Sequence, residues 1–347
     1  VSTAARLHVS ARLEDRAHAA LRAFARRRGW GPRITASIGY GTGSGPVHVF
    51  ARVLLGPPAD PARGGRRAVA PRGWRSLLAL PATGEVGVTL AGHRHVVPLA
   101  RGGYAHGELV ADLAPGWHEA VLDVAGGAPV RCRIRVADPG ARFGVVSDID
   151  DTVLVTWVPR PLLAAWNTFL LREHARRPVP GMAELLRSLA GADGAVVYVS
   201  TGAWNFAPHL ERFMAEHGFP PGPMLLTDWG PTERGWFRSG AEHKRASLER
   251  LRREHPDTRW VLVGDDGQRD PAIYREFAAA HPEAVVAIAI RALTPAQHVL
   301  AGPAAAPPAD AVAPRTTYVT GADGHELRAG LAAAGVVEAA TGAVSDG

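Results

Sequence analysis

The chain has 347 residues, 46% hydrophobic and 21% charged, a balance that supports a packed core and excludes wholesale disorder. Its longest apolar run, Ala284 to Ile290, falls far short of the roughly 20 residues of a membrane-spanning helix, and the single Cys132 excludes an internal disulfide framework or a cysteine-built metal centre. The net charge of +6 suits an anionic partner such as phospholipid or nucleic acid, although a general enrichment in Arg, Ala, Gly and Pro produces the same figure.

Residues 5 to 28 read as a basic helix, with Leu13, Ala17, Leu21 and Phe24 at three- and four-residue spacing. Docking on the neighbouring domain is the plain expectation; lying on a membrane surface is the alternative. No apolar block opens the sequence, so the expected location is cytoplasmic, with peripheral attachment to a membrane. The first residue is not Met, which leaves a removed leader open.

From Arg33 to Val136 short β-type runs alternate with Gly and Pro. The candidates are Val47–Leu55, Val86–Leu90, His95–Leu99, Tyr104–Leu109, His118–Val124 and Val130–Val136, which together predict a small β-sandwich. Pro57 to Arg75, rich in Pro, Gly and Arg and with Trp74 near its end, reads as a long loop. Ala137 to Arg142 reads as a linker.

Beyond it, continuous apolar runs alternate with helical stretches, the pattern of a parallel sheet covered on both faces. Strands are expected at Phe143–Ser147, Ala195–Ser200, Met224–Thr227, Trp260–Gly264 and Ala284–Ile290. Helices fit Leu162–Ala175, Gly181–Leu189, Ala207–His217, Ala241–Glu254 and Pro271–Ala280. Ala301 to Pro314 reads as an Ala/Pro linker and His325–Ala334 as one last helix. The expected domains are therefore 1–29, 30–137, 138–300 and a tail over 301–347.

Ligands of an open parallel sheet bind at the carboxyl ends of its strands, and three such ends here carry reactive groups. After the first strand stand Asp148, Asp150 and Asp151, followed by Thr152. Two carboxylates two residues apart can serve as nucleophile and as general acid and base. Their crowding calls for a cation, and oxygen ligands suit Mg²⁺; an ordinary Asp-rich turn is the plain alternative. After the second strand, Ser200, Thr201 and Gly202 offer a hydroxyl and main-chain N–H groups for phosphate oxygens. After the fourth, Gly264, Asp265, Asp266 and Asp270 form a second acidic turn able to complete a metal site. Lys244 is the single lysine among 39 basic residues, and its compact ammonium does what a guanidinium cannot.

These pieces, in this order, resemble the haloacid dehalogenase (HAD) superfamily of aspartate-nucleophile phosphotransferases: Asp148-x-Asp150-x-Thr152, Ser200, Lys244, and Asp265 with Asp270. More narrowly, Ser147 to Val153, Tyr198 to Ser200 with Trp204 and Asn205, His243-Lys244-Arg245, and Gly264 to Pro271 with Tyr274 resemble the actin-patch-protein type of Mg²⁺-dependent phosphatidate phosphatase. The close resemblance covers residues 143–295. Asp266 stands where that family has a small polar residue.

The resemblance implies a HAD-like Rossmannoid α/β sheet with a minimal cap, preceded by a β-rich, sandwich-like domain. It implies that Asp148 attacks phosphorus and that Asp150 protonates the leaving alcohol and then activates water. Mg²⁺ would be held by Asp148, the carbonyl of Asp150 and Asp265, with Asp270 acting through water. Ser200, Thr201, Gly202 and Lys244 would receive the phosphoryl oxygens. The intervals Leu154–Val179 and Trp229–Glu242 are too short for a sealing lid, which favours a bulky or surface-bound ester. They contain Trp157, Arg160, Trp166, Phe169, Trp229, Arg234, Trp236, Phe237 and Arg238, a mixture suited to a lipid headgroup boundary; packing within the domain is the plain reading for some of these rings. The expected function is phosphatidate hydrolysis at a membrane surface, with no nucleic-acid partner. Two alternatives stand beside it: a phosphatase for another bulky or soluble phosphomonoester or a phosphoprotein, and a non-catalytic interaction module.

Overall fold

The computed structural model describes residues 19–43, 45–58, 80–138, 143–155, 177–191, 195–227, 240–267, 269–301 and 316–337. These fall into two compact units that divide close to residue 135.

In the first unit, residues 19–27 are helical. The expected apolar face is not its buried one: Leu21 and Phe24 are 54% and 57% exposed, while Ala25 is buried. Strands follow at β1 (Gly31–Gly41), β2 (Pro46–Gly56), β3 (Leu80–Pro81), β4 (Glu85–Leu90), β5 (His93–Pro98), β6 (Tyr104–Val110), β7 (Gly116–Asp123) and β8 (Val130–Val136). Instead of two separate sheets, they join into one eight-stranded sheet in the order β3-β2-β1-β8-β7-β4-β5, with β6 also paired to β2. The reason is the length of β2, which pairs with β1 along one edge and with both β6 and β3 along the other. A register shift between Ser37 and Tyr40 bends β1. Alternating residues Ala120 and Leu122, and Cys132, Ile134 and Val136, are buried, as period-two strands with one apolar face require. Strand β1 lies wholly outside the expected strands because its Gly, Ser and Thr content hides the alternation. Beyond Pro58, the Pro57–Arg75 loop lies outside the described residues.

The second unit holds β9 (Gly144–Asp148), β10 (Leu154–Val155), β11 (Arg177–Pro178), α1 (Met182–Ala190), β12 (Val196–Ala203), α2 (Ala207–Glu216), β13 (Met224–Thr227), α3 (Gly240–Glu254), β14 (Trp260–Asp265), α4 (Asp270–Ala280), β15 (Val285–Arg291), α5 (Pro295–Ala301), β16 (Thr317–Gly321) and α6 (Gly324–Ala333). Six strands form a sheet in the order β13-β12-β9-β14-β15-β16, and all its neighbours are parallel. Counted among the sheet's own six strands this is order 3-2-1-4-5-6, which reverses direction between β9 and β14; such a switch point opens a crevice at the carboxyl ends of the two strands.

The central strands are buried on both faces: Val145, Val261, Leu262, Val263, Ala287, Ile288 and Ala289 are fully buried, which explains their continuous apolar runs. Met182, Leu185, Leu186 and Leu189 recur at helical spacing on α1 and join the core with Leu327 and Leu331 of α6. Each such leucine contributes about 1.5–3 kcal/mol when fully buried.

Two expectations change here. Residues 316–337 are part of this unit, β16 being its sixth strand, so the segment is more than a tail. Strand β12 runs on to Ala203, where it pairs with Thr227, so Ser200, Thr201 and Gly202 lie within a strand end and not in a strand-to-helix turn. The Thr227 hydroxyl, donating to the carbonyls of Thr201 at 2.8 Å and Gly202 at 3.2 Å, holds that extension. The proposed helix at Leu162–Ala175, and the aromatic and arginine residues of both cap-position intervals, lie outside the described residues. The ends of the first interval are joined by the antiparallel pair β10–β11.

Candidate active site

Asp148 ends β9 and Asp265 ends β14, on the two strands that flank the switch point. Asp270 opens α4, immediately beyond the loop that follows Asp265. A glycine at 264 makes that closeness possible, because a Cβ there would lie 2.6 Å from Asp270 Oδ2. One carboxylate oxygen from each of Asp148, Asp265 and Asp270 lies within 4.8 Å of the others.

Lys244 on α3 reaches this cluster with a side chain only 3% exposed. Its Nζ stands 2.7 Å from Asp148 Oδ1 and also donates to Asp270 Oδ1. The resemblance implies a role for Lys244 at the phosphoryl oxygens; its contacts with Asp148 and Asp270 are additions. Asp265 Oδ1 accepts from the Gly267 N–H at 2.8 Å. Among the described residues, the Oδ2 atoms of Asp148, Asp265 and Asp270 are buried without a hydrogen-bond partner. Buried carboxylate oxygens left in this way are strongly destabilising unless a cation meets them, so the donor set fits a hard divalent ion.

Electrostatics agree with that reading. Burial pushes the Asp148 carboxyl well above the usual range; Lys244 opposes the shift and Asp270 and Asp150 add to it. Burial likewise raises Asp265, reinforced by Asp270 and Asp148. At Lys244 burial disfavours the charge, but Asp148 and Asp270 outweigh it and hold the ammonium above its ordinary pKa. One ammonium thus faces three carboxylates.

Asp150 lies two residues past the end of β9 and accepts from the Ser200 hydroxyl at 2.9 Å. Ser200 Oγ in turn accepts from the Gly202 N–H at 2.9 Å. The expected phosphate donors are therefore gathered at the end of β12, with the Gly202 N–H already engaged. Tyr274 is buried on α4, its hydroxyl donating to the Val263 carbonyl at 3.3 Å.

Asp266 stands apart from this cluster. Its Oδ1 accepts from the Leu293 N–H at 2.8 Å and lies 3.3 Å from His298 Nε2, so it braces the loop after β15. Arg291, which no motif marks, ends β15 with its side chain buried. Burial lowers its pKa, opposed first by Asp151 and then by Asp265, Asp266 and Asp323.

Residues 143–292 match the family model described as phosphatidate phosphatase APP1, catalytic domain. A Schizosaccharomyces pombe protein described as uncharacterized is 31% identical over 150 residues, covering 43% of this chain and 25% of that protein. Phosphatidate phosphatase APP1 of Saccharomyces cerevisiae is 27% identical over 151 residues, covering 43% of this chain and 26% of that protein. The chain therefore spans about a quarter of the length of these curated relatives. A solved structure from Mesorhizobium loti, described as a HAD-like phosphatase, covers 65% of this chain and 97% of its own at 17% identity, with a TM-score of 0.37. Over residues 143–292 the family resemblance read from the motifs is borne out.

Proposed function

We propose that the second unit is a Mg²⁺-dependent phosphatase acting through an aspartyl-phosphate, with phosphatidate as its substrate. The observation that carries this reading is the set of unpartnered oxygens of Asp148, Asp265 and Asp270 around Lys244, at the carboxyl ends of the strands flanking the switch point.

The Asp148 carboxylate attacks phosphorus while Asp150 gives its proton to the leaving alcohol. Asp150, now ionised, takes a proton from the water that opens the aspartyl-phosphate and releases phosphate. The Ser200 hydroxyl orients the Asp150 carboxylate through their hydrogen bond. When the ester binds, the Ser200 hydroxyl turns its one proton from Asp150 to the phosphoryl oxygens, which it then holds with Lys244, and the neighbouring main chain at Thr201 and Gly202 borders them. Asp148, Asp265, Asp270 and the main-chain carbonyl of Asp150 would hold Mg²⁺, which neutralises charge on the phosphoryl group.

A lipid substrate is supported by the match to a phosphatidate phosphatase domain. It is supported further by the first unit, where exposed Leu21, Phe24 and Trp30 stand among Arg26, Arg27 and Arg28. No carboxylate occurs from residue 16 to residue 59, and basic apolar surfaces of this kind suit anionic lipid. Intact Asp148, Asp150, Lys244 and Asp265 disfavour a purely non-catalytic module.

The test is phosphate release from phosphatidate in mixed micelles compared with a soluble aryl phosphate. Release should vanish in chelator and return with Mg²⁺ but not Ca²⁺, whose size and loose coordination do not suit in-line transfer. Hydrolysis of the aryl phosphate alone would move the substrate to a soluble ester, and no hydrolysis of either would defeat the phosphatase reading.

A further inference from the structure

Arg291 donates to acceptors on three separate segments. Its Nη1 reaches the main-chain carbonyl of Asp151 at 2.6 Å, its Nε the carbonyl of Ala322 at 3.1 Å and its Nη2 the side chain of Gln297 at 3.3 Å. The side chain is only 6% exposed. The main chain beside it is also tied: Asp266 N–H donates to the Arg291 carbonyl at 3.0 Å and Ala292 N–H to the Gly321 carbonyl at 2.8 Å. A buried guanidinium that reaches three divergent acceptors is a bracket whose geometry an ammonium does not reproduce.

What it brackets is unusual backbone. Asp151 has φ of 59°, in the left-handed region that residues with a Cβ rarely adopt. The turn is closed by Asp151 N–H to the Leu154 carbonyl and Val153 N–H to the Ile149 carbonyl, both at 2.9 Å. It lies between Asp148 and the β10 strand, and Asp150 precedes the strained residue directly. Relaxation of Asp151 to an ordinary conformation would rotate the peptide that joins it to Asp150. The Asp150 carboxylate would then leave its place beside Ser200. Strain of this kind persists only where surrounding contacts over-determine it.

The far anchor is the segment 316–337, beyond the span of the family match. That segment is itself fixed. The Asp323 side chain accepts from the N–H groups of His325 and Glu326, and Glu326 accepts from the Ala322 N–H at 2.8 Å, a reciprocal cap that orients the residue Arg291 holds. Gly324 N–H donates to the Pro180 carbonyl at 2.9 Å, and a Cβ on Gly324 would collide with the Gly181 main chain, as one on Gly181 would with His325.

We propose that Arg291 is a positioning residue for this site: it holds the turn after Asp148 in its left-handed form and anchors that turn to the segment 316–337. The proposal rests on the reading that Asp150 transfers protons during phosphate-ester hydrolysis. It assigns to the C-terminal segment a part in turnover as well as in stability.

The experiment compares the full chain with Arg291→Lys, using a soluble aryl phosphate at saturating Mg²⁺. The expected result is a fall in kcat of about 10- to 100-fold, the scale of an ångström-sized misplacement of a catalytic group, with KM within about twofold. Adding Asp151→Gly to Arg291→Lys should recover part of the lost kcat, about threefold or more, because glycine takes positive φ without a steric penalty. Unchanged kcat in Arg291→Lys would overturn the proposal, as would a loss that Asp151→Gly leaves uncorrected, since a purely structural role predicts no such rescue. If Arg291→Lys does not fold, Gln297→Ala, which removes one arm of the bracket, should lower kcat several-fold at unchanged KM; full activity there overturns the proposal. An inactive wild type sinks the phosphatase reading itself, whereas an active wild type with an unimpaired Arg291→Lys sinks only this one.

Discussion

Among the described residues the first unit buries no Asp, Glu, Lys or Arg side chain, whereas the second buries a cluster of them beside exposed pairs of its own such as Arg245 with Glu276. In the antiparallel sheet, Arg94 meets Asp123 at 2.6 Å and Arg131 meets Glu119 at 2.9 Å, on side chains from 36% to 78% exposed. At the strand ends of the parallel sheet and on the helices α3 and α4 beside it, Asp148, Lys244, Asp265 and Asp270 are all at most 3% exposed. Exposed pairs contribute little, because water and salt screen them. Buried charges are strongly unfavourable unless fully matched, and three carboxylates around one ammonium are not matched. No packing requirement explains such a cluster; the chemistry it can perform does. Charge is thus informative about function where it is buried and nearly silent where it is solvated.

The sharpest way to break that contrast is to substitute within the cluster. Asp148→Asn should abolish turnover while the protein stays folded, because an amide cannot attack phosphorus. Activity above about one per cent of wild type would remove Asp148 as nucleophile, since losing nucleophilic catalysis should remove at least that much. Lys244→Arg comes next. It keeps the charge but replaces a compact ammonium, lodged between Asp148 and Asp270, with a planar group too wide for the niche. Turnover should fall about 100-fold or more; near-normal activity would show that charge alone is needed there.

A smaller effect, of opposite sign, is expected on stability. Asp265→Asn keeps the acceptor for the Gly267 N–H and removes one uncompensated buried charge. In chelator its Tm should rise by roughly 2–6 °C, the scale of relieving one to two kcal/mol in a domain of this size. Mg²⁺ should raise the wild-type Tm more than the variant's. A lower Tm for Asp265→Asn in chelator would mean that Lys244 already balances the cluster without a metal.

Much of the site was legible because its signals are local in sequence. Asp148-x-Asp150-x-Thr152 follows an apolar run, Gly264-Asp265 follows another, and a parallel sheet brings such strand ends together whatever lies between. Lys244 stood out as the single lysine. Arg291 carried no comparable mark in a chain with 39 basic residues, because its meaning lies in three acceptors that only folding assembles. Asp266 resembled a ligand by position, yet its carboxylate faces Leu293 and His298, a direction that sequence does not encode. Strand β16 was hidden because Thr317, Tyr318, Val319 and Thr320 are neither a clear apolar run nor a clear alternation. The Leu21 and Phe24 stripe was read correctly as periodic, but periodicity reports a shared face and not what covers it.

The smallest expected effect belongs to the surface, and it bounds the comparison from the other side. Glu119→Gln removes the charge that pairs with Arg131 on side chains 43% and 78% exposed. Both groups regain hydration when separated, so the Tm should move by no more than about 2 °C. Turnover of a soluble ester should be unchanged, because the pair belongs to the sheet of the first unit. Raising the salt concentration should erase what little difference remains, as screening acts on exposed charges first. A large loss of stability would show that this sheet also depends on its ion pairs. A loss of turnover at unchanged Tm would give the first unit a part in catalysis that its exposed charges do not otherwise indicate.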